Sequence, residues 1–322
     1  MKLPSPLRAA IERELEGAAP SDLMRAARLL SERYRAEVRD GAAHLASNSA
    51  ALAYLGTRLP ATYAAIRLSL DAVAIARPSF TPSTVLDAGA GPGTALWAAA
   101  DCWPTLADAL LVESASAIRT VGERLSRDAG SVRIAWSNAN LTAGLPDIAP
   151  RELVTLAYVL DELSPAARDA LVDRLWQLTA GILVIVEPGT PAGWQRILRA
   201  RQRLLEAGAA IVAPCPHASA CPLAASDWCH FAARVERSRL HRTLKQADVP
   251  WEDEKFIYVA AARTPAASTG SRVIAPPQSG SGRVTLKLCQ PDGTARQWLV
   301  TRREGEAFKQ ARRCGWGDAF DG

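Results

Sequence analysis

At 322 residues, 48% apolar and 22% charged, the chain is long enough for two domains, or for one large domain with appendages, around a proper core. The balance of 38 Lys and Arg against 33 Asp and Glu, +5 overall with an isoelectric point near 9.0, points to an anionic partner without naming one. No apolar run approaches the roughly 20 residues of a bilayer span. The opening "MKLPSPLRAAIERELEG" lacks a secretory h-region, and its Glu12, Glu14 and Glu16 argue against a transit peptide; the expectation is a monomer in a bacterial cytoplasm with no membrane partner.

Residues 5–76 read as helices. "SPLRAAIERELEG" opens on Ser-Pro and stops at Gly17, the usual start and stop residues. In "APSDLMRAARLLSERYRAEV", Leu23, Ala26, Ala27, Leu30 and Tyr34 recur every three or four residues, which makes one face apolar. "ATYAAIRLSLDAVAIA" continues in this style before the break "RPSFTPS". From Thr84 short apolar runs alternate with helical ones. "TVLDAG", "ALLVES", "VRIAWS", "ELVTLAYVL" and "GILVIVEPG" read as buried strands, with helices "TALWAAADCW", "AIRTVGERLSRDAG" and "SPAARDALVDRLWQLTAG" between them. That alternation predicts an α/β fold with a doubly wound, mostly parallel sheet. Beyond it come a basic helix "GWQRILRARQRLLEAG", a cysteine segment, an expected helix "FAARVERSRLHRTLKQA" and a strand "KFIYVAAAR". "TPAASTGS", 264–271, reads as a linker, and "GRVTLKLC" and "RQWLVTRR" flank an Asp-Gly hairpin ahead of a last short helix "EAFKQARRCGWGD". The implied division is a helical region 1–80, an α/β domain 81–263 with a cysteine-rich insertion at about 211–250, and a β-rich part at 264–322.

"TVLDAGAGPGTALWAA" is a strand, a glycine turn and a helix start. Gly89, Gly91 and Gly93 let the backbone fold tightly and approach a ligand, but a dinucleotide fingerprint wants its third glycine where Thr94 stands. With Asp87 ending the strand, the pattern resembles a Rossmann-like class I methyltransferase sheet that takes S-adenosylmethionine. Glu113, ending the next strand, is placed to accept from ribose hydroxyls, and Asn138, after the third strand, is a candidate for the adenine edge. No methyltransferase catalytic signature follows the fourth strand. Asp161 and Glu162 there could serve as general bases, but Ser164-Pro165 marks a helix start, where acidic side chains suit the dipole. The second reading is preferred, and the catalytic residues stay unassigned.

"CPHASACPLAASDWCHF" holds three of the six cysteines, Cys215, Cys221 and Cys229. Their spacings are wider than the close pairs of a structural zinc site. In a reducing compartment a metal site is a better reading than disulfides. Zinc and an iron–sulfur cluster suit four soft ligands equally, and the fourth ligand must come from Cys102, Cys289, Cys314, His217 or His230.

"CPH…ACPL…DWCHF", "RVERSRLHRTLK", "WEDEKFIYVAAAR", "KLCQPDG" and "AR…WGD", with "YLGTRLPATYAAI" ahead of the glycine loop, resemble the methyltransferase-like family of the mitochondrial small ribosomal subunit from about residue 45 to the end. Bacterial members of that family are named as small-subunit or ribosomal RNA methyltransferases. The resemblance implies a 4Fe–4S cluster on Cys215, Cys221, Cys229 and Cys289, with zinc as the alternative, and leaves Cys314 out. It implies a partner in the small ribosomal subunit and its 16S-type rRNA, either as a methyltransferase or as a non-catalytic assembly factor. Under it, Arg196, Arg199 and Arg203 on one helix, and Arg234, Ser238, His241 and Lys245 beyond the cysteines, are expected to contact rRNA phosphates.

Overall fold

The computed structural model describes residues 1–35, 45, 47–145, 147–224, 226–245, 247–265 and 270–322; the side chains of 34 and 35, and with them the expected apolar role of Tyr34, lie outside this set, as does 266–269 of the expected linker. Four helices come first: α1 Ser5–Leu15, α2 Pro20–Arg35, α3 Asn48–Thr57 and α4 Leu59–Ala76. α3 starts where Ser47 accepts from the Ala50 N–H at 3.2 Å, satisfying one of the orphan donors of a helix end. α4 corrects one expectation: by length and composition it is apolar enough to cross a membrane, yet 56% of it is buried. Leu59, Ile66, Leu70 and Val73 are fully packed in the protein core, while Ile75 near the end of the helix is exposed.

The α/β run follows as β1 Thr84–Ala88, α5 Thr94–Cys102, β2 Asp108–Val112, α6 Ser116–Leu125, β3 Arg133–Ser137, β4 Arg151–Ala157, α7 Pro165–Gln177, β5 Thr179–Pro188, α8 Pro191–Glu206 and β6 Ala210–Ala213. Next come β7 Phe231–Glu236, α9 Arg239–Lys245 and β8 Trp251–Ala262. The sheet order is β3-β2-β1-β4-β5-β8-β6, with β7 also on β8. β3, β2, β1, β4 and β5 are parallel, and β8 runs antiparallel between β5 and β6. A parallel half switching direction at β1, with one reversed strand near the far edge, is a Rossmann-like methyltransferase fold. The central strands are buried along their length, Leu153, Val154 and Leu156 in β4 and Ile182 to Val186 in β5, as helices on both faces require.

One expected helix is half strand. Phe231, Ala233 and Val235 are buried while Arg234 and Glu236 are exposed, a period of two that pairs Phe231–Glu236 with Phe256–Trp251. Helix resumes only at Arg239. The cysteine segment thus leaves the sheet at β6 and returns at β7 on the same edge of β8. A second, five-stranded sheet is built from β9 Ser271–Val273, β10 Gln278–Gly280, β11 Arg283–Cys289, β12 Ala295–Thr301 and β13 Ala319–Phe320, with α10 Glu306–Arg313 packed on it. Its own core is Val273, Val284, Leu286, Leu288, Val300 and Phe320.

Candidate functional site

Parallel strands deliver their C-terminal ends to one edge of the sheet, and ligands of such folds bind at the switch point there. In this chain β1 lies between β2 and β4, and a cavity of about 140 Å³ opens at those three ends, lined by Asp87, Gly89, Gly91, Glu113, Tyr158 and Glu162 among others. Gly89 has φ 70°, and a Cβ there would meet Val159 Cγ2 at 2.5 Å; both the conformation and the space require glycine. Gly91 also has a positive φ, 54°, but faces open space.

Asp87 is 2% exposed. Its Oδ1 accepts from the Thr155 hydroxyl at 2.7 Å, while Oδ2 has no hydrogen-bond partner among the described residues. Burial, and then the Glu113 charge, push its carboxyl up to about 7 against the pull of Thr155. Glu113 accepts from the backbone N–H of Gly91 at 2.9 Å and of Ala115 at 2.8 Å, so it ties the glycine loop to the end of β2. Asn138 is exposed and is not among the residues that line the cavity. Asn140 lines the cavity in its place.

Sequence reasoning passed over three more lining residues, Tyr54 and Arg58 from the N-terminal helices and Tyr158, and weighed a fourth, Glu162, only as a general base or a helix start. Glu162 lies in a 3-10 turn, Leu160–Glu162, before α7 rather than in its first turn; the Ser164 cap on Ala167 N, 3.3 Å, starts the helix after it. Tyr158 has φ 60°, the one non-glycine residue with positive φ among those described, a conformation that an aromatic residue holds only where its surroundings enforce it. Its N–H donates to Val186 O at 2.8 Å and its hydroxyl to Glu254 Oε1 at 3.1 Å. No local sequence signal announces a left-handed tyrosine.

The second site is the cysteine segment. Cys215, Cys221, Cys229 and Cys289 line one enclosed, apolar cavity of about 30 Å³ together with His217. His217 Nε2 lies 3.3 Å from Cys289 Sγ. Arg201 holds the loop by donating to the carbonyls of His217 and Ser219 at 2.7 and 2.9 Å, and Arg272 donates to Pro214 O at 3.0 Å. Burial, then the Cys215 and Cys221 charges, push the Cys289 thiol up to about 12, and burial with its three neighbouring cysteines carries Cys229 well above the usual range. Cys102 and Cys314 line no part of this cavity; Cys314 packs against the core of the second sheet.

Burial and neighbouring cysteines oppose ionisation of Cys215, Cys229 and Cys289, and with Cys221 beside them this is the donor chemistry that a soft cation reverses. Their spacing is a poorer fit. The cavity holds about one water's volume, and no three His, Cys, Asp or Glu side chains among the described residues are placed to hold a metal ion. A cluster would require the 215–229 segment to open around it.

The family described as "Mitochondrial small ribosomal subunit Rsm22" matches residues 48–321. The chain belongs to the Rsm22 family. Relatives include the human "Ribosome assembly protein METTL17, mitochondrial", 28% identical over 83% of this chain and 61% of its own length. "Rsm22-cox11 tandem protein 2, mitochondrial" of Schizosaccharomyces pombe is 24% identical over 84% of this chain and 43% of its own. The chain therefore spans about half the length of the curated Rsm22 relatives it matches. Solved structures with the same outline include magnesium protoporphyrin IX methyltransferase from Synechocystis, with 13% identity, 62% of this chain and 83% of that one covered, and a TM-score of 0.40. Ribosomal protein L11 methylase from Lactobacillus delbrueckii has 16% identity, coverage of 62% and 76%, and a TM-score of 0.38.

Two expectations fall here. The cytoplasmic compartment is overturned by Rsm22 relatives that are named mitochondrial. Glu12, Glu14 and Glu16, which had argued against a transit peptide, sit on or just past a helix packed by Leu7, Ile11 and Leu15 into the core, so they report on folding rather than on an address. The RNA-facing arginines are corrected as well. Arg196 is buried and its Nε lies 2.6 Å from Glu187 Oε2, itself 0% exposed. Arg199 pairs with Asp169 at 2.7 Å, Arg203 with Asp169 and Asp173, Arg234 with Asp253 at 2.8 Å and Lys245 with Glu252 at 2.7 Å. Ser238 Oγ caps α9 by accepting from His241 N, and His241 is 1% exposed beside Glu252. Arg196 is thus internal, while Arg199, Arg203, Arg234 and Lys245 are engaged with neighbouring carboxylates, Arg199 and Arg234 at the exposed surface.

Proposed function

We infer that the chain is an S-adenosylmethionine-binding, methyltransferase-like protein that acts in assembly of the small ribosomal subunit, contacts its 16S-type rRNA, and carries a 4Fe–4S cluster on Cys215, Cys221, Cys229 and Cys289. The observation that carries the donor reading is Asp87 Oδ2, a buried acceptor without a partner at the switch point of a methyltransferase-like sheet, in the place where a donor's amino-acid end would lie. Membership of the Rsm22 family supports the ribosomal setting. The convergence of four thiols on one cavity supports the cluster. For rRNA the support lies in the second sheet and its flanks, where Arg283, Arg296, Arg302, Arg303, Arg312 and Arg313 are exposed; none of them is held in an ion pair among the described residues. Phosphate contacts through them would weaken with added salt.

A second reading, methyl transfer to the rRNA, is favoured by a groove of about 1440 Å³ that adjoins the donor pocket and shares Arg58 with it. One experiment separates the readings. Tritiated methyl from S-adenosylmethionine is offered to immature small-subunit particles with wild-type protein and with Asp87→Ala. Label in RNA that is lost in the variant establishes an enzyme; tight binding to particles without label establishes an assembly factor; neither label nor binding ends the proposal. Iron content and absorbance near about 400 nm of anaerobically purified protein test the cluster independently, about four irons per chain being expected for a cubane.

A further inference from the structure

Three carboxyls from three strand ends face the glycine-loop cavity: Asp87 in β1, Glu113 after β2 and Glu162 in the turn after β4. Asp87 is nearly inaccessible to solvent, and its Oδ2 is unpartnered. Carboxylates this crowded repel one another until a cation enters, and the methyl donor brings two, an ammonium and a sulfonium. The sheet order says which carboxyl meets which. β2 and β4 flank β1 on opposite sides, and the large groove, lined by Asp161, Pro188, Gly189 and Glu254, opens on the β4–β5 side. That groove, which shares Arg58 with the cavity, gives an acceptor a route to the donor, and a sulfonium turned toward it would point to β4 and away from Glu113. Glu162 is the carboxyl on that side.

We propose that Glu162 faces the sulfonium of bound S-adenosylmethionine and makes the site select this cationic donor over S-adenosylhomocysteine, the neutral thioether left after transfer. The inference rests on the donor reading above and adds to it the residue that tells the two ligands apart. Glu162 is open to solvent on one side and crowded on the other. Its carboxyl is pushed up to about 8 by burial against the cavity wall, then by Asp161, Glu113 and Glu187, with Arg33 of α2 pulling the other way. Asp87, Arg58, Tyr54 and Tyr158 complete the ionisable groups around the cavity. Glu162 therefore ionises less readily than a free carboxyl, and a sulfonium favours its charged form where a thioether does not. Affinity for S-adenosylmethionine should rise with pH up to the carboxyl's own value and then level off. Affinity for S-adenosylhomocysteine should lack that Glu162-dependent rise.

Isothermal titration of the full chain with each ligand, at about pH 6.5 and about pH 8.5, tests this with wild type and Glu162→Gln. The substitution lies on an exposed turn, where the fold tolerates it. The expected result is a loss of about tenfold for S-adenosylmethionine, the scale of one charge-assisted contact, with S-adenosylhomocysteine unchanged and the pH-dependent part of the preference gone. Equal weakening of both ligands, or a preference that survives in Glu162→Gln, overturns the role of Glu162 while leaving the donor site standing. Failure of both ligands to bind wild type removes the donor reading and this inference with it.

Discussion

Asp87, Gly89 and Gly91 of the glycine-loop pocket follow one another along a single strand and turn, Gly93 opens the helix after it, and Glu113 directly follows the neighbouring strand. The cysteine cavity instead brings His217 and Cys289 together across 72 residues, on a loop between β6 and β7 and on a strand of the other sheet. The first site is held by the backbone: parallel strands, a loop tied by Gly91 N–H to Glu113, and glycine where nothing else fits. The second is held by side chains reaching across a gap, Arg201 and Arg272 bonding to loop carbonyls and Trp228 Nε1 donating to Gly189 O at 3.0 Å. A pocket of the first kind is complete once the sheet folds. A cavity of the second kind is set by side chains from separate elements, so its thiols share a lining without a backbone motif that fixes their mutual positions.

The sharpest way to break this comparison is at Asp87. A carboxyl raised from 3.8 to about 7 in the folded chain costs almost nothing below about pH 3, where both folded and unfolded forms are protonated. The cost grows as pH rises toward the folded value and is constant above it. Asp87→Asn keeps an acceptor for the Thr155 hydroxyl and removes the charge. Urea denaturation should find it more stable than wild type by roughly 2–4 kcal/mol above about pH 7.5, with that advantage gone by about pH 3, while donor binding is lost. Stability given up for a ligand is the mark of a binding site; a variant less stable than wild type at high pH would make Asp87 a structural residue.

A smaller effect separates two glycines of the same loop. Gly89→Ala meets both a positive φ and Val159 at 2.5 Å, whereas Gly91→Ala meets only the φ. Thermal unfolding should show a loss of about 2–3 kcal/mol for the first and about 1 kcal/mol for the second. Equal losses would mean that Val159 yields, and that the loop is looser than its packing implies.

How much of this was legible in the sequence follows the same division. β1 to β5 declare themselves as apolar runs ended by Gly, Ser or Pro, and Asp87 and Glu113 stand at their ends by simple counting. Asn138 stands two residues short of Asn140, which lines the cavity, because counting stops being valid once the strand ends. β7 was hidden because its six residues carry Arg234 and Glu236 and run straight into helix-like sequence; only pairing with β8 decides for strand. Arg196, Arg199 and Arg203 share a helix face as expected, but that face looks toward Glu187, Asp169 and Asp173, and no periodicity tells which neighbour a face will meet. Glu162 was visible as an acid after β4, and its destination depended on a single 3-10 turn.

The smallest effect concerns the cysteine that the cavity leaves out. Cys314 ends α10, half-buried against the core of the second sheet, its Sγ 3.7 Å from Ala319 O, while Cys289 ends β11 inside the cavity. If the four lining thiols act as one unit, Cys314→Ser should leave iron content unchanged and shift stability by no more than about 0.5–1 kcal/mol, the scale of a weak thiol contact exchanged for a hydroxyl. Cys289→Ser in parallel should lose the iron. A Cys314→Ser protein depleted of iron would bring the second sheet's helix into the site and require α10 to turn toward β11. The two sheets would then be clamped at two points rather than one, and the distinction between a backbone-built pocket and a side-chain-built cavity would extend to how the halves of the chain are joined.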